Sequence, residues 1–332
     1  MTADTSTRQG APAASRRWAP GWRIVARKEL ADHLLSVRFT ALLVVLGIAT
    51  GAAVYAAASA LRDVAPEATA DPSPFLRLFT VTADPVPFAM FTFVGFLAPL
   101  LGIAFGFDAV NGERAEGTLP RLVSQPIHRD DVINGKFVAG LAVITMVLTT
   151  LTLLVAGFGI VALGVVPTGD QILRVATWLI VAVVYVAFWL GFATLMSVVT
   201  KRAATSALVS IAVWVTITLF AALLVRLVAG VIAPLPDEPS GAEVLRSAQV
   251  ERTLAQLSPV TLYEDATTAL LAPETRSVGV VTVAQLDRAV ATPLSFTQSL
   301  LLVWPQLAGM VMLTVLCFGG AYVAFMRQEV RA

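Results

Sequence analysis

Long apolar stretches separated by short polar punctuation dominate the chain. Six such runs cover residues 39–61, 88–110, 137–166, 172–200, 207–233 and 299–326. A hydrocarbon core about 30 Å thick needs roughly 20 apolar residues in a helix, because lipid offers nothing to satisfy backbone N–H and C=O groups. All six runs are long enough. The pattern therefore predicts an all-α polytopic membrane protein with six transmembrane helices. Between the third and fourth runs lie only Pro167, Thr168, Gly169, Asp170 and Gln171, whose proline and glycine predict a tight antiparallel hairpin. An even number of spans places both termini on one side.

Ahead of the first run the periodicity changes. Trp22, Ala26, Leu30, Leu34 and Val37 recur at helical spacing while Arg23, Arg27, Lys28 and Asp32 face elsewhere, which predicts an amphipathic helix lying at the membrane interface. A plain basic flank is the alternative. Residues 1–20, rich in Ala, Ser, Thr and Arg, read as a disordered cytosolic tail, leaving 21–332 as one transmembrane domain. Ala58, Ser59 and Ala60 resemble a signal-peptidase site, but the run before them exceeds the roughly 7–15 residues of a signal-peptide core. An uncleaved first span is the better reading.

Lys and Arg resist translocation, so their distribution sets the orientation. Fifteen of the 23 fall in residues 8–38, 114–136, 201–202 and 327–331, predicting cytosolic termini in a multi-pass protein of the cell membrane. Two other segments, 62–87 and 234–298, then lie outside. In the longer one, Ser258 and Pro259 place a cap and a proline before residues 260–271, and Thr282 with Gln285 forms a capping box. A small helical extracytoplasmic cap is expected there.

Composition narrows the chemistry. With 57% hydrophobic and 14% charged residues the chain cannot hide its apolar surface in water, and a net charge of +1 excludes a strongly basic nucleic-acid binder. Its single cysteine, Cys317, permits neither an intrachain disulfide nor a thiolate metal cluster. The histidines, His33 and His128, both fall outside the spans, so the span methionines lack companions for a soft-metal path. Gly135-Lys136 lacks the upstream glycine of a phosphate-binding loop, and no His-Glu-x-x-His occurs. Neither ATP hydrolysis nor metalloproteolysis by this chain is expected. The first, third and sixth runs carry no charge, against an ion-coupled carrier. Arg226, in the fifth, is expected to snorkel to the outer headgroups.

The most informative stretch is the cytosolic loop 111–136. Gly117 and Thr118 can cap a short helix, Pro120 fits its first turn, and Pro126 must end it after residues 119–124. That helix would show Leu119, Leu122 and Val123 beside Arg121. A solvated charged turn is the bland alternative. Asp108, near the inner end of the second span, reads either as a buried functional carboxylate or as a headgroup-level charge beside Arg114.

In order along the chain, Gly106-Phe107-Asp108, Glu113-Arg114, Gly117-Thr118-Leu119, Ser124-Gln125-Pro126, Arg129 and Gly135-Lys136 resemble the signature of type-2 ATP-binding-cassette (ABC) exporter permeases. The permease of nitrous-oxide-reductase maturation lies in the branch most alike. Pro120 and His128 depart from that pattern, standing where a basic residue and a small hydroxyl are usual. The resemblance implies a coupling helix that docks on a separate ABC ATPase, its role falling on Gly117, Thr118, Leu119, Arg121, Leu122 and Ser124, framed by Glu113 and Arg129. ATP and magnesium would then be bound by that partner, with no cofactor in this chain. A second copy or a paralogue would complete the pathway. The alternative function is a non-transporting module that passes ATPase work to an extracytoplasmic protein through residues 234–298.

Overall fold

The computed structural model describes residues 21–63, 74–82, 88–117, 128–236, 238, 240–273 and 294–328. Among these, eleven helices and no strand occur: α1 (Gly21–Leu34), α2 (Val37–Asp63), α3 (Pro74–Thr80), α4 (Met90–Gly106), α5 (Asn111–Ala115), α6 (Arg129–Leu163), α7 (Gly169–Val199), α8 (Ala203–Ile232), α9 (Gly241–Ala255), α10 (Pro259–Leu271) and α11 (Phe296–Arg327). Six are long and apolar enough to cross a membrane: α2, α4 continued by α5, α6, α7, α8 and α11. The six-span expectation holds to within a few residues at most ends. The tail 1–20 and the Thr282–Gln285 box lie outside the described residues.

Helix α7 is the axis of the bundle. Within its most apolar stretch 61% of residues are buried, against 11% for α8 and 17% for α11, so α7 is walled by protein while the others turn apolar faces outward. Trp178, Tyr185 and Trp189, spaced to share one side of α7, are fully buried. Glycines bring α4 against it: a Cβ on Gly102 would lie 2.6 Å from the Val186 carbonyl oxygen, and one on Gly106 2.8 Å from that of Leu190. Only a missing side chain allows that backbone approach.

The hairpin between α6 and α7 forms as expected. Gly164 ends α6 at φ 68°, a left-handed cap that glycine adopts without steric cost, and Thr168 caps α7 by accepting from the Gln171 N–H. The start of α6 differs from expectation. Its polar residues 129–136, assigned above to the loop, are helical, because Asp131 accepts the His128 N–H and supplies carboxylate charge at the positive end of the helix.

The long segment before α11 holds a larger difference. Ser258 and Pro259 do start a helix, but α10 is no surface cap: Tyr263, Ala266 and Leu270 are at most 1% exposed, sunk among α4, α7 and α11. Tyr263 stacks on Tyr185 at 4.6 Å and donates to the Phe91 carbonyl, while Arg174 of α7 donates to the Leu270 carbonyl. Residues 263 and 270 are roughly 10 Å apart along α10 at 1.5 Å per residue, so the helix runs against α7 over about that length. Helix α9, capped by Ser240, leads back along α8, where Glu251 pairs with Arg226 at 3.3 Å. Arg226 thus has a protein partner while its side chain stays 75% exposed. Arg174, only 2% exposed, also contacts Asp170, the Ser299 hydroxyl and the Leu294 carbonyl, tying the starts of α7 and α11 to the end of α10.

Candidate coupling site at the loop end of the bundle

The end of the bundle carrying α1, α5 and Gln328 also carries both roots of the 111–128 loop. The root after α4 begins where the chain leaves the helix at Phe107 and re-forms as α5. Its first N–H groups would be orphaned, but the Ser197 hydroxyl accepts from Val110 N at 3.0 Å and Asn111 N at 3.2 Å. Asn111, 1% exposed, donates to the Thr200 hydroxyl, and Arg114 donates to the carbonyls of Val198 and Thr200. Those carbonyls end α7, so a cation there complements both the unpaired acceptors and the negative end of the helix. Gly117 follows at φ 66°, the left-handed turn that stops α5.

The second root is fastened to the same place. Arg129 donates to the Gln328 carbonyl at 2.9 Å and lies over the Phe325 ring at 5.7 Å, while Arg114 bonds the Gln328 side-chain oxygen. Gln328 Nε2 returns a bond to the Val198 carbonyl at 2.8 Å. One glutamine thus joins both loop roots, the end of α7 and the end of α11.

Glu113 faces the other way, into a buried charge cluster. Lys136 Nζ lies 2.8 Å from Glu29 Oε1 and 3.2 Å from Glu113 Oε1, with all three side chains no more than 12% exposed. Lys28 adds contacts at 3.2 Å to Glu29 and to Asp32. Glycine again sets the approach: a Cβ on Gly135 would lie 2.7 Å from that of Val25, so α1 rests directly on α6. This corrects the expected face of α1. Val25 and Glu29 point inward, Trp22, Ala26, Leu30 and Leu34 flank them half-buried, and Val37 begins α2 on the surface.

Asp108 pairs with Arg38, whose guanidinium also lies 4.9 Å from the Phe107 ring centre, so Arg114 is not its partner. Together these groups line a cleft of about 260 Å³. Burial tends to lower the Lys28 ammonium, but Glu29 and Asp32 outweigh it and leave it raised. His33, packed on Phe105 at 4.7 Å, is held below its ordinary value by burial, against the pull of Glu29. Among the described residues the arrangement offers ion pairs and helix ends.

Of the residues singled out in the sequence, Asp108, Glu113, Gly117 and Arg129 gather here, while Thr118, Leu119, Arg121, Leu122 and Ser124 lie outside the described residues. Glu29, Arg38, Asn111, Ser197 and Gln328 were missed. Glu29 carried a signal, a carboxylate four residues after Val25 on what becomes the packed face. The profile of the ABC-2 family transporter proteins matches residues 23–330. The chain belongs to that family, and is a membrane-embedded permease component of an ABC transporter. A comparison with curated proteins found no match.

Proposed function

We propose that this chain is the permease half of an ATP-driven exporter, powered by a separate ABC ATPase that docks from the cytosol on the 111–136 loop. The observation that carries the reading is the fastening of both loop roots to one point, Gln328, at the ends of α7 and α11. A loop held that way passes a push to the bundle instead of absorbing it. Glu113 extends the connection to α1 and α6 through Lys136, and Gly117 ends α5 just before the proposed contact residues Thr118, Leu119, Arg121, Leu122 and Ser124. Arg129 anchors the return.

In this account the partner binds ATP and magnesium, both termini are cytosolic, and α1 lies at the inner surface of the cell membrane. The outward apolar faces of α8 and α11 suit lipid or a second copy or paralogue. The second reading is a non-transporting module that passes ATPase work to an extracytoplasmic protein through residues 234–298. Contact between α10 and α7 favours it, since motion of α7 would reach α10 directly. Reconstitution in vesicles with the cognate ABC ATPase tests the first reading. Recruitment of the ATPase together with cargo-stimulated turnover supports it. An ATPase that ignores permease-containing vesicles refutes it.

A further inference from the structure

Another cavity, of about 190 Å³, lies between α4, α8 and α10. Its walls are aromatic and apolar, with Phe91, Phe96 and Tyr263 most prominent, and its polar groups include Thr218 and Glu264. Two of these lack a protein partner among the described residues. Threonines inside helices usually donate to the carbonyl four residues back, as Thr145, Thr150, Thr152, Thr177, Thr194 and Thr314 do here. The Thr218 hydroxyl is buried without such a bond or any other among the described residues.

Glu264 is the second. Its acidic neighbours are matched, Asp265 with Arg252 and Glu251 with Arg226, yet among the described residues no cation faces Glu264. Glu264 is exposed at the open side of the cavity, so its unpaired carboxylate is available to a cation that enters along the aromatic walls. The walls are preformed. Tyr263 is held by its bond to the Phe91 carbonyl and by Gly95, whose absent side chain leaves room for the ring, and Phe96 leans on Trp214 at 5.2 Å.

We propose that this cavity binds a compact organic cation, an ammonium group carried on an aromatic or alkyl body of about ten heavy atoms. Aromatic faces attract such a cation through their quadrupoles, and Glu264 supplies the full opposite charge. An anion would meet the carboxylate, and a neutral ligand would leave it unmatched. The inference deepens the permease reading and rests on it for the step from ligand to cargo. Binding itself needs no ATPase.

The test is equilibrium dialysis of radiolabelled benzyltrimethylammonium against the purified full chain in lipid nanodiscs, with empty nanodiscs subtracted. Neopentylbenzene, the neutral isostere, and phenylmethanesulfonate, an anion, are the comparison probes. The cation is expected to bind saturably and at least 10-fold more tightly than either. Glu264→Gln should weaken it at least 10-fold, Leu219→Trp, which fills the cavity, should abolish it, and Glu251→Gln outside the cavity should leave it unchanged. Equal affinity for the neutral isostere, preference for the anion, or full binding by Glu264→Gln would each overturn the proposal. Because no ATPase is present, such a failure would leave the coupling account standing, and failed ATPase recruitment would not affect this result.

Discussion

Replacing Lys136 with Met removes the shared cation of two carboxylates while keeping most of the side-chain volume. Glu29 and Glu113 would remain with side chains 9% and 12% exposed, each having lost a contact of 3.2 Å or less. Breaking a buried pair from one side costs about 3–5 kcal/mol. Lys28 stays 3.2 Å from Glu29, but its side chain is 56% exposed, so it offsets only part of the loss. A destabilisation of about 3 kcal/mol follows, at the low end of that range. The chain reports its own unfolding, because its only cysteine, Cys317, lies half-buried in α11 and becomes open to a thiol-reactive dye. The dye transition should fall sharply for Lys136→Met. It should return to within about 1 kcal/mol of wild type in Glu29→Met, Lys136→Met, Glu113→Leu, which leaves no unmatched charge in the triad. A single variant as stable as wild type, or a triple variant no better than the single, would refute the buried triad.

Three further outcomes are expected. Gly102→Val should prevent stable accumulation, since its Cβ would lie 2.6 Å from the Val186 carbonyl oxygen and 2.8 Å from the Leu190 nitrogen, whereas Gly47→Ala in open space should stabilise α2 by about 0.5–1 kcal/mol; membrane abundance and the dye transition check both. His33 has a folded value below its ordinary 6.5, so under that pH the unfolded chain takes up the proton more readily and stability falls. Wild type should lose more of its transition temperature than His33→Phe between about pH 7.5 and pH 5.5, and parallel losses would contradict the assignment. Ser258→Ala removes the cap of α10 and should cost about 1 kcal/mol in the dye assay, an unchanged transition speaking against the observed cap.

The spans were legible because a bilayer imposes one strong rule on sequence, and 39–61 or 172–200 satisfy it in plain view. The α6–α7 hairpin was legible from its turn residues. What escaped were features set by contact between distant segments. Nothing local distinguishes Lys136 as buried, since it follows the pattern of a cytosolic charge until Gly135 brings α1 across it. Gln328 looks like an ordinary polar residue after the last span, and its role depends on where α7 and the loop roots end. The length of the segment before α11 suggested a cap, but the size of the apolar face on α10, from Leu262 to Leu271, required a deeper place. One of the two readings of Asp108 sets it beside Arg114 on proximity in sequence, while Arg38 reaches the carboxylate from another helix.

The central claim, that an ATPase drives this permease through the 111–136 loop, is tested most directly by Leu119→Asp, Leu122→Asp. These residues lie three apart, so one helical face would carry both charges into the partner's groove, where unpaired burial costs several kcal/mol. The measurement is co-purification of the cognate ABC ATPase with wild-type and doubly substituted chains from the same membranes, alongside permease abundance. The account predicts normal abundance with the ATPase lost. Retention of the partner at wild-type stoichiometry would contradict it and leave residues 117–124 a solvated turn.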